Sequence, residues 1–399
     1  MTGAAATSVA EPVMAAVRAR TRVDYSRRPM LVFWETTRAC LLACEHCRAS
    51  ATTQAPPGEL SEAEGRDLID QVAGFGRPYP ILILTGGDCL LRPDIFDLVS
   101  YARSRGIPVG LSPSVTPLLP DLMDEVTGSD VHAVSISLDG AQAATHDEVR
   151  GVPGHFEQTL AAIRGLVAGG ATVQVNTTVM RRNVDELADI AALLAREGVH
   201  MWEVFFLVHV GRGTATQAIT PAENSDVCHF LYDASRRGFV VRTVEAPFFR
   251  RVVAERRAGG APSESELYRR LSGHLDELLG PPTREPSAHT APTRDGKGIL
   301  FIAYDGEVYP AGFLPLRLGN MREQPLSEIY RGNQLLRDIR AARFTGRCGE
   351  CGYSDLCGGS RARAFADSGD PLGEDPACPF PAREMVPAAA NGRRSVVGG

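Results

Sequence analysis

The segment WETTRACLLACEHCRA, residues 34–49, decides how this 399-residue chain is interpreted. It places Cys40, Cys44 and Cys47 in the spacing C-x3-C-x2-C, directly after the apolar run Leu31–Trp34, which we interpret as a strand. Three thiolates can bind three irons of a cubane cluster and leave the fourth iron without a protein ligand. An open metal position is what a catalytic site requires, so the spacing favours a catalytic iron–sulfur cluster.

The cysteine inventory needs an explanation other than disulfides, because we expect a cytoplasmic chain. Seven of the nine cysteines form two groups at opposite ends of the sequence, and we interpret Cys89 and Cys228 as small buried hydrophobic residues. Two alternatives stay open for the first group. One is a zinc site, but its nearest further ligand, His46, lies awkwardly between two cysteines. The other is a set of unrelated buried cysteines.

The composition excludes several classes of protein. With 44% hydrophobic and 23% charged residues, the chain has the composition of a globular fold, and no apolar run is long enough to cross a bilayer. Residues 1–22 lack the apolar stretch of a secretion signal, so we expect a cytoplasmic protein without a membrane partner. A formal charge of −6 without dense basic runs argues against nucleic acid as a partner. The one lysine, Lys297, lies in a Gly/Asp-rich stretch, which disfavours a pyridoxal-phosphate site.

Apolar, β-branched runs alternate with helical patterns along the first two hundred or so residues. The predicted strands are Leu31–Trp34, Ile81–Leu84, Pro108–Leu111, Val131–Leu138, Thr172–Val179 and Trp202–Leu207. The predicted helices include Ser61–Phe75, Asp94–Ser104, Phe156–Ala168 and Asp185–Glu197. Strands that alternate with helices pair in parallel, so six such units predict an α/β fold, a partial (β/α)6 barrel. Its active site is expected at the C-terminal ends of the strands.

The cysteine loop resembles that of the radical S-adenosylmethionine (SAM) superfamily, with His46 where that family usually has an aromatic residue. The resemblance implies that Cys40, Cys44 and Cys47 hold a [4Fe–4S] cluster. It further implies that SAM chelates the open iron through its methionine amino and carboxylate groups. An electron from the cluster would then cleave the sulfonium and produce a 5′-deoxyadenosyl radical, which abstracts a substrate hydrogen atom.

Two further segments carry the resemblance and imply SAM contacts. The residues Gly86, Gly87 and Asp88 occupy the place of the family's Gly-Gly-Glu motif, which takes the SAM ammonium, although such a sequence can also be a plain turn. The motif Ser137-Leu138-Asp139-Gly140 and the later Arg150 resemble the pattern after the fourth strand. There Ser137 would touch the SAM ribose or carboxylate and Arg150 would pair with the carboxylate. For Asp139, a helix cap or loop-holding role is an equal alternative, and the polar run Asn176-Thr177-Thr178 either joins this mouth or faces solvent.

The second cysteine group comprises Cys348, Cys351, Cys357 and Cys378. By itself this pattern suggests structural zinc. After a radical SAM barrel it resembles the SPASM/twitch extension, which carries auxiliary [4Fe–4S] clusters. Full SPASM domains place a cysteine where this chain has Ala311, so we expect one auxiliary cluster, bound by all four thiolates.

The loop at residues 44–49 and the segment at residues 357–363 resemble most the tetrapyrrole-modifying enzymes of haem biosynthesis. That likeness implies hydrogen abstraction from the β-carbon of a propionate side chain, loss of CO2, and transfer of one electron to the auxiliary cluster. Guanidinium groups suit propionate, and Arg212 at the barrel mouth is a candidate, with a plain surface arginine as the alternative. The sequence assigns no catalytic acid or base, and His209 near the mouth carries no specific signal.

Two other functions remain open. A peptide maturase is the enzymatic alternative, although only about thirty residues precede the first strand, too few for the peptide-recognition domain common in such enzymes. A non-catalytic iron–sulfur electron carrier is the other, and it would need no SAM pocket. The expected partners are a small-molecule or peptide substrate and an electron donor such as flavodoxin or ferredoxin. The predicted domains are a flexible tail at 1–27, the barrel at 28–240, connecting helices and linker at 241–297, the SPASM/twitch-like domain at 298–385 and a disordered tail at 386–399.

Overall fold

The computed structural model describes residues 24–288 and 290–380. The predicted tail at 386–399, and residues 1–23 of the predicted N-terminal tail, lie outside these residues. One sheet of ten strands runs through the described chain in the order β10-β9-β8-β1-β2-β3-β4-β5-β6-β7. The strands are β1 (Leu31–Glu35), β2 (Ile81–Thr85), β3 (Val109–Leu111), β4 (Ala133–Ser137), β5 (Val173–Val179), β6 (Met201–Phe206), β7 (Val240–Val244), β8 (Ile299–Ile302), β9 (Glu307–Tyr309) and β10 (Gly319–Asn320).

Helices connect the parallel strands and cover the outer face of the sheet. They are α1 (Glu62–Ala73), α2 (Ile95–Ser104), α3 (Leu118–Asp121), α4 (Met123–Gly128), α5 (Ala143–Arg150), α6 (His155–Ala168), α7 (Leu187–Arg196), α8 (Pro221–Ala234), α9 (Phe249–Arg257), α10 (Glu266–Leu279), α11 (Leu326–Gly332), α12 (Gln334–Arg340), α13 (Gly346–Glu350) and α14 (Arg361–Ser368). None of these described helices is both long and apolar enough to span a membrane.

Sequence signals set several helix ends. Helix α1 begins after Ser61, whose Oγ accepts a hydrogen bond from Glu64 N at 3.3 Å while Glu64 Oε2 accepts one from Ser61 N at 2.8 Å. This capping box satisfies two backbone groups at the helix start. Helix α5 ends at Gly151, which has a φ of 72°, a left-handed conformation that glycine adopts without a Cβ clash. That stop places Arg150 in the last turn, facing the cysteine loop.

The two faces of the sheet differ in what they touch. On β4, Val134 and Ile136 are fully buried in the core that includes Leu160 and Ile163 of α6. The intervening Ser135 and Ser137 are only partly buried on the opposite, concave face. Because strand side chains alternate between faces, the polar residues of the central strands line the concave side.

The parallel sheet continues beyond the six strands predicted from sequence. Strand β7 pairs with β6, and β8 pairs in parallel with β1 through Leu31 and Ile299. Strand β7 starts at residue 240, where the predicted barrel ends, so most of it falls in the predicted linker. Its pattern is weak because it is short and carries Arg242 on the concave face. The pairing of β8 with β1 brings the C-terminal cysteine segment against the barrel; the predicted domain limits remain a prediction.

Candidate active site

The cysteine loop packs directly after β1. Cys40 and Cys44 are buried with Leu42, and Cys47 packs against them. Two polar groups approach the Cys40 sulfur: Leu42 N donates to it at 3.4 Å, and Ser114 Oγ, which donates to Gly87 O at 2.8 Å, lies 3.6 Å away. Hydrogen bonds to sulfur stabilise the thiolate form and tune the potential of a cluster bound to it. The first cysteine group is therefore brought together in the structure, with a polar contact already in place.

The Gly86-Gly87 pair lets the cysteine loop lie on the end of β2. A Cβ at Gly87 would stand 2.2 Å from Ala39 O, and one at Gly86 would stand 2.4 Å from Thr37 O. In the same contact, Gly87 N donates to Thr37 O at 2.8 Å. No side chain fits such distances, so glycine is required here by close backbone approach. The predicted contact of both glycines with SAM remains a prediction.

The Asp88 carboxylate is fully buried and bonded to protein groups. Its Oδ1 accepts hydrogen bonds from Leu90 N at 3.1 Å and Ser114 N at 3.2 Å, and its Oδ2 accepts one from Thr116 Oγ1 at 2.9 Å. Burial raises the pKa of Asp88, against these hydrogen bonds. Asp88 thus orients Ser114, the residue that touches Cys40. The direct contact between Asp88 and the SAM ammonium that the sequence predicted remains a prediction.

Arg150 lies between the cysteine loop and Asp139 and is buried. Its Nη1 donates to Cys44 Sγ at 3.5 Å, and its Nη2 forms an ion pair with Asp139 Oδ2 at 2.6 Å. Burial alone would raise the pKa of Asp139, but Arg150, with His46 and Thr178 N, outweighs burial and lowers it. In the structure the partners of the Arg150 guanidinium are the Cys44 thiol and the Asp139 carboxylate. The contact between Arg150 and the SAM carboxylate that the sequence predicted remains a prediction.

Donors without partners remain around this loop among the described residues. Arg150 Nε and Arg212 Nη2 are buried donors with no hydrogen-bond partner there, and the ring nitrogen His46 Nδ1 is buried without a partner as well. Burial lowers the pKa of His46 to about 4, so its imidazole is neutral at pH 7. Buried donors without acceptors are costly unless a ligand supplies the acceptors. A carboxylate-bearing ligand such as SAM therefore fits the chemistry of this site.

Arg212 holds the cysteine loop. Its Nε donates to Cys44 O at 2.8 Å, its Nη1 to Ala51 O at 3.4 Å, and its backbone N to Cys47 O at 3.0 Å. Arg212 is therefore not a plain surface arginine, the alternative that the sequence left open, because it bonds to three carbonyls of the cysteine loop. The preceding Gly211 permits the approach, because a Cβ there would stand 2.3 Å from Cys47 O.

The polar residues at the end of β5 divide between the two faces of the sheet. Thr177 is buried and structural, since its Oγ1 donates to Leu138 O at 2.7 Å and accepts from Trp202 Nε1 at 2.9 Å. Asn176 faces the concave side and lies opposite Ser137 in the strand register. Of the predicted run Asn176-Thr177-Thr178, only the first and last side chains can therefore reach the barrel interior.

The second cysteine group lines one small cavity. Its wall includes Cys348, Cys351, Cys357 and Cys378 together with Arg251, Arg347, Tyr353 and Asp375. In the described part of the chain, no three His, Cys, Asp or Glu side chains are already arranged to hold a single metal ion. Four cysteine side chains from one C-terminal segment thus line the same cavity.

Donors also surround these sulfurs. Tyr353 N donates to Cys351 Sγ at 3.4 Å, Gly359 N to Cys357 Sγ at 3.5 Å, and Arg361 Nη2 to Cys348 Sγ at 3.6 Å. Burial raises the pKa of Cys357 to about 12 and that of Cys378 to about 11. Thiols in such a setting give up their protons only to a metal, and the N–H donors then stabilise the sulfur charge. This donor set fits an iron–sulfur cluster.

Comparison with known proteins identifies two families along the chain. Residues 34–194 match the radical SAM superfamily, and residues 294–352 match the SPASM iron–sulfur cluster-binding domain. The chain is 38% identical to the AdoMet-dependent heme synthase of Nitratidesulfovibrio vulgaris, over 92% of this chain and 97% of that protein. It belongs to the radical SAM superfamily. This radical SAM protein is also 31% identical to the pre-heme d1 synthase of Dinoroseobacter shibae, over 92% of this chain and 90% of that protein.

A solved structure of similar fold is that of Streptococcus suis SuiB bound to the precursor peptide SuiA. It has a TM-score of 0.67 at 14% sequence identity and covers 95% of this chain and 84% of that chain. The predicted fold class, a partial radical SAM barrel with a SPASM-type domain, is confirmed. The chain is a radical SAM enzyme that uses SAM, a [4Fe–4S] cluster and an auxiliary iron–sulfur cluster, as predicted. These matches do not support the electron-carrier alternative.

Several residues near the site carry no motif of their own in the sequence and were not predicted. Ser114 follows β3 and could have been found by the rule that strand ends converge, but its segment lacks a motif. His146 and His155 form a buried pair, with 2.8 Å between His146 Nε2 and His155 Nδ1. The backbone N of Asp139 donates a hydrogen bond to His146 Nδ1 at 3.1 Å. Arg242 was missed together with its strand. Each depends on packing between segments that are distant in the sequence.

Proposed function

We propose that this radical SAM enzyme decarboxylates propionate side chains of a tetrapyrrole in haem biosynthesis. The observation that carries the proposal is the 38% identity to an AdoMet-dependent heme synthase over 92% of this chain and 97% of that protein. The side chain would lose a hydrogen atom from its β-carbon, then CO2 and one electron, and end as a vinyl group. The predicted substrate class from the sequence is the same.

The proposal assigns the first cysteine group to the catalytic cluster. Cys40, Cys44 and Cys47 would hold three irons, and SAM on the fourth iron supplies the 5′-deoxyadenosyl radical. Arg150 keeps a positive charge beside Cys44, and Arg212 fixes the loop backbone at Cys44 O. A preorganised, buried loop of this kind holds its ligands without rearrangement during the reaction.

The residues proposed for SAM surround that loop. We assign Gly86, Gly87 and Ser137 to direct contact with SAM. Asp88 orients Ser114 through the Ser114 N–H, and we also assign it to the SAM ammonium. Asp139 and Arg150 form an ion pair, and the free Nε of Arg150 is the donor available to the SAM carboxylate. The loops after β1, β2 and β4 contribute these groups, in keeping with the usual location of active sites in α/β barrels.

The second cysteine group would hold one auxiliary [4Fe–4S] cluster through Cys348, Cys351, Cys357 and Cys378. A cluster with four protein ligands has no iron open to substrate, so it suits acceptance of the electron that the side chain releases. Ala311, which is buried beside Leu314, offers no further ligand. A flavodoxin or ferredoxin would supply the electron that cleaves SAM. Nine free cysteines suit a reducing compartment, so the cytoplasm remains the proposed location.

The test is a single-turnover reaction of the anaerobically reconstituted, reduced enzyme with SAM and an iron porphyrin that carries propionate side chains. The expected products are 5′-deoxyadenosine and a porphyrin with a vinyl group in place of a propionate, measured by mass spectrometry. A Cys44→Ala variant should form neither product. Formation of 5′-deoxyadenosine with an unchanged porphyrin, together with modification of a ribosomal peptide, would contradict the proposal and favour the maturase alternative.

A further inference from the structure

A row of polar side chains crosses the concave face of the barrel. The strand register places Ser137 of β4 opposite Asn176 of β5, Asn176 opposite Glu203 of β6, and Glu203 opposite Arg242 of β7. Their neighbours along the strands, which include Val175, Val204 and Val241, are fully buried on the outer face. The four polar side chains therefore share the inner face at one depth in the barrel.

Part of this row is hydrogen-bonded internally. Gln174, on the same face as Asn176, donates from Nε2 to Asn176 Oδ1 at 2.8 Å and to Glu203 Oε2 at 2.9 Å. These bonds use acceptor atoms of both residues and leave the Asn176 amide NH2 available. Because Gln174 occupies the Asn176 oxygen, the Asn176 NH2 group is the donor that remains for a ligand on the concave face.

The Arg242 guanidinium of β7 completes the row, beside Glu203 of β6. Its Nε is buried without a hydrogen-bond partner, and no carboxylate of the described residues lies within ion-pair distance of it. Burial raises the pKa of Glu203 and the Arg242 charge opposes this effect, so the two groups interact across the row without a direct ion pair. A partly buried guanidinium without an acceptor is costly, and a ligand carboxylate would relieve that cost.

Apolar and aromatic side chains lie one layer nearer the barrel mouth. Phe205 of β6 lies beside Val244 of β7 in the register and on the same face as Glu203 and Arg242. The ring of Phe205 packs at 6.2 Å, centroid to centroid, against Phe313 from the C-terminal domain. A ligand with a flat apolar body and a carboxylate arm would meet both surfaces.

We propose that Arg242 and Asn176 bind a propionate carboxylate of the substrate, with the macrocycle against Phe205 and Phe313. This inference rests on the proposed tetrapyrrole function and names the residues that would select for its carboxylates. Guanidinium can donate two parallel hydrogen bonds to a carboxylate, and the Asn176 amide adds a third donor. Arg242 is then a binding residue for substrate, with no part in holding either cluster.

The test measures binding of two porphyrins that differ only in the charge of their side chains. Iron porphyrin with free propionates, and the methyl ester of the same porphyrin, are titrated into reconstituted full-length enzyme and followed by the porphyrin absorbance. The wild type should prefer the free acid. Arg242→Gln should weaken binding of the free acid by about tenfold to a hundredfold and leave the ester unchanged.

Two variants keep this test decisive. Arg242→Lys retains the charge without the paired donors and should weaken acid binding by an intermediate factor. Arg164→Gln, at an exposed ion pair with Glu197 on the outer surface, should behave as the wild type. Iron content and SAM binding, measured by equilibrium dialysis, should match the wild type in all variants.

The outcomes separate this inference from the proposed function. A wild type that binds neither porphyrin contradicts both. A wild type that binds the free acid no better than Arg242→Gln does, or a variant that loses acid and ester equally, contradicts the inference alone. Loss of SAM binding in Arg242→Gln would also overturn it, because Arg242 would then belong to the cofactor site.

Discussion

Arg150 donates a hydrogen bond to the sulfur of Cys44 at 3.5 Å and is held there by Asp139, whose carboxylate lies 2.6 Å from the other end of its guanidinium. This relationship links the cysteine loop after β1 to the turn after β4. The sequence suggested Arg150 only as a partner for SAM. The structure gives it a contact with the sulfur of a proposed cluster ligand, where its charge acts on the metal site directly.

Replacing Arg150 by Gln should make the potential of the SAM-binding cluster more negative. A nearby positive charge favours the reduced, more negative cluster, so its removal should shift the potential by a few tens of mV. A redox titration followed by electron paramagnetic resonance measures this shift. Arg150→Lys should recover part of it, and the auxiliary cluster serves as an internal control because its potential should not move. Equal shifts in both clusters, or in neither, would contradict the role given to Arg150.

Replacing Gly87 by Ala should disrupt the first cluster while the second remains. A Cβ at this position meets Ala39 O at 2.2 Å, so the cysteine loop must move away from β2. We expect iron content to fall from about eight to about four atoms per chain. The matched control is Gly273→Ala in helix α10, where a Cβ meets no atom within 4 Å. Retention of full iron content by Gly87→Ala would show that the close approach does not hold the loop.

The auxiliary site predicts a complementary loss. The double variant Cys351→Ser/Cys378→Ser removes two ligands and should reduce the iron from about eight to about four atoms per chain, with SAM binding retained. Cys228→Ser is the control, since Cys228 is buried in the core and does not itself line the cavity. Unchanged iron with loss of bound zinc would instead support the structural-zinc alternative. About twelve irons in the wild type would contradict the interpretation of Ala311.

The buried pair of His146 and His155 predicts a dependence of stability on pH. Burial lowers the pKa of His146 to about 3, and that of His155 is also lowered. Between those values and the ordinary 6.5, the unfolded chain binds more protons than the folded one, so stability falls as the pH falls below 6.5. The expected loss from His146 is about 1.4 kcal/mol per pH unit, and His155 adds to it in the same direction.

Melting temperatures at pH 7.5 and pH 5.5 test this effect. His146→Phe should show a smaller drop on acidification than the wild type, whatever its stability at neutral pH. His274→Gln is the control, because His274 is half-exposed at the surface and Asp189 raises its pKa, so it adds no such loss. An identical drop in His146→Phe and the wild type would show that His146 is protonated in the folded protein.

Local patterns in the sequence were sufficient for most elements near the site. The helix predicted at Ser61–Phe75 is found at Glu62–Ala73, and the strand predicted at Ile81–Leu84 is found at Ile81–Thr85. The spacing of Cys40, Cys44 and Cys47 likewise predicted a metal site from adjacent residues alone. Local signals of this kind depend on a few adjacent residues. Such signals can therefore be read from the sequence before the fold is known.

The features that were missed depend on contacts between distant segments. The pairing of β8 with β1 joins residues about 270 positions apart, and no local pattern reports it. Arg242 becomes distinctive only when β7 is placed beside β6 and its guanidinium is found without an acceptor. The role of Gly86 and Gly87 in accommodating the cysteine loop likewise needs the distance to Ala39 and Thr37.

In the proposed reaction the deoxyadenosyl radical removes a hydrogen atom from a propionate β-carbon, and that hydrogen must then appear in the 5′-deoxyadenosine. The direct measurement uses an iron porphyrin with deuterium at those carbons, incubated with reduced enzyme and SAM, with mass analysis of both products. We expect one deuterium in the 5′-deoxyadenosine for each propionate converted to vinyl. Vinyl product accompanied by unlabelled 5′-deoxyadenosine, or labelled nucleoside with no loss of CO2, would contradict it.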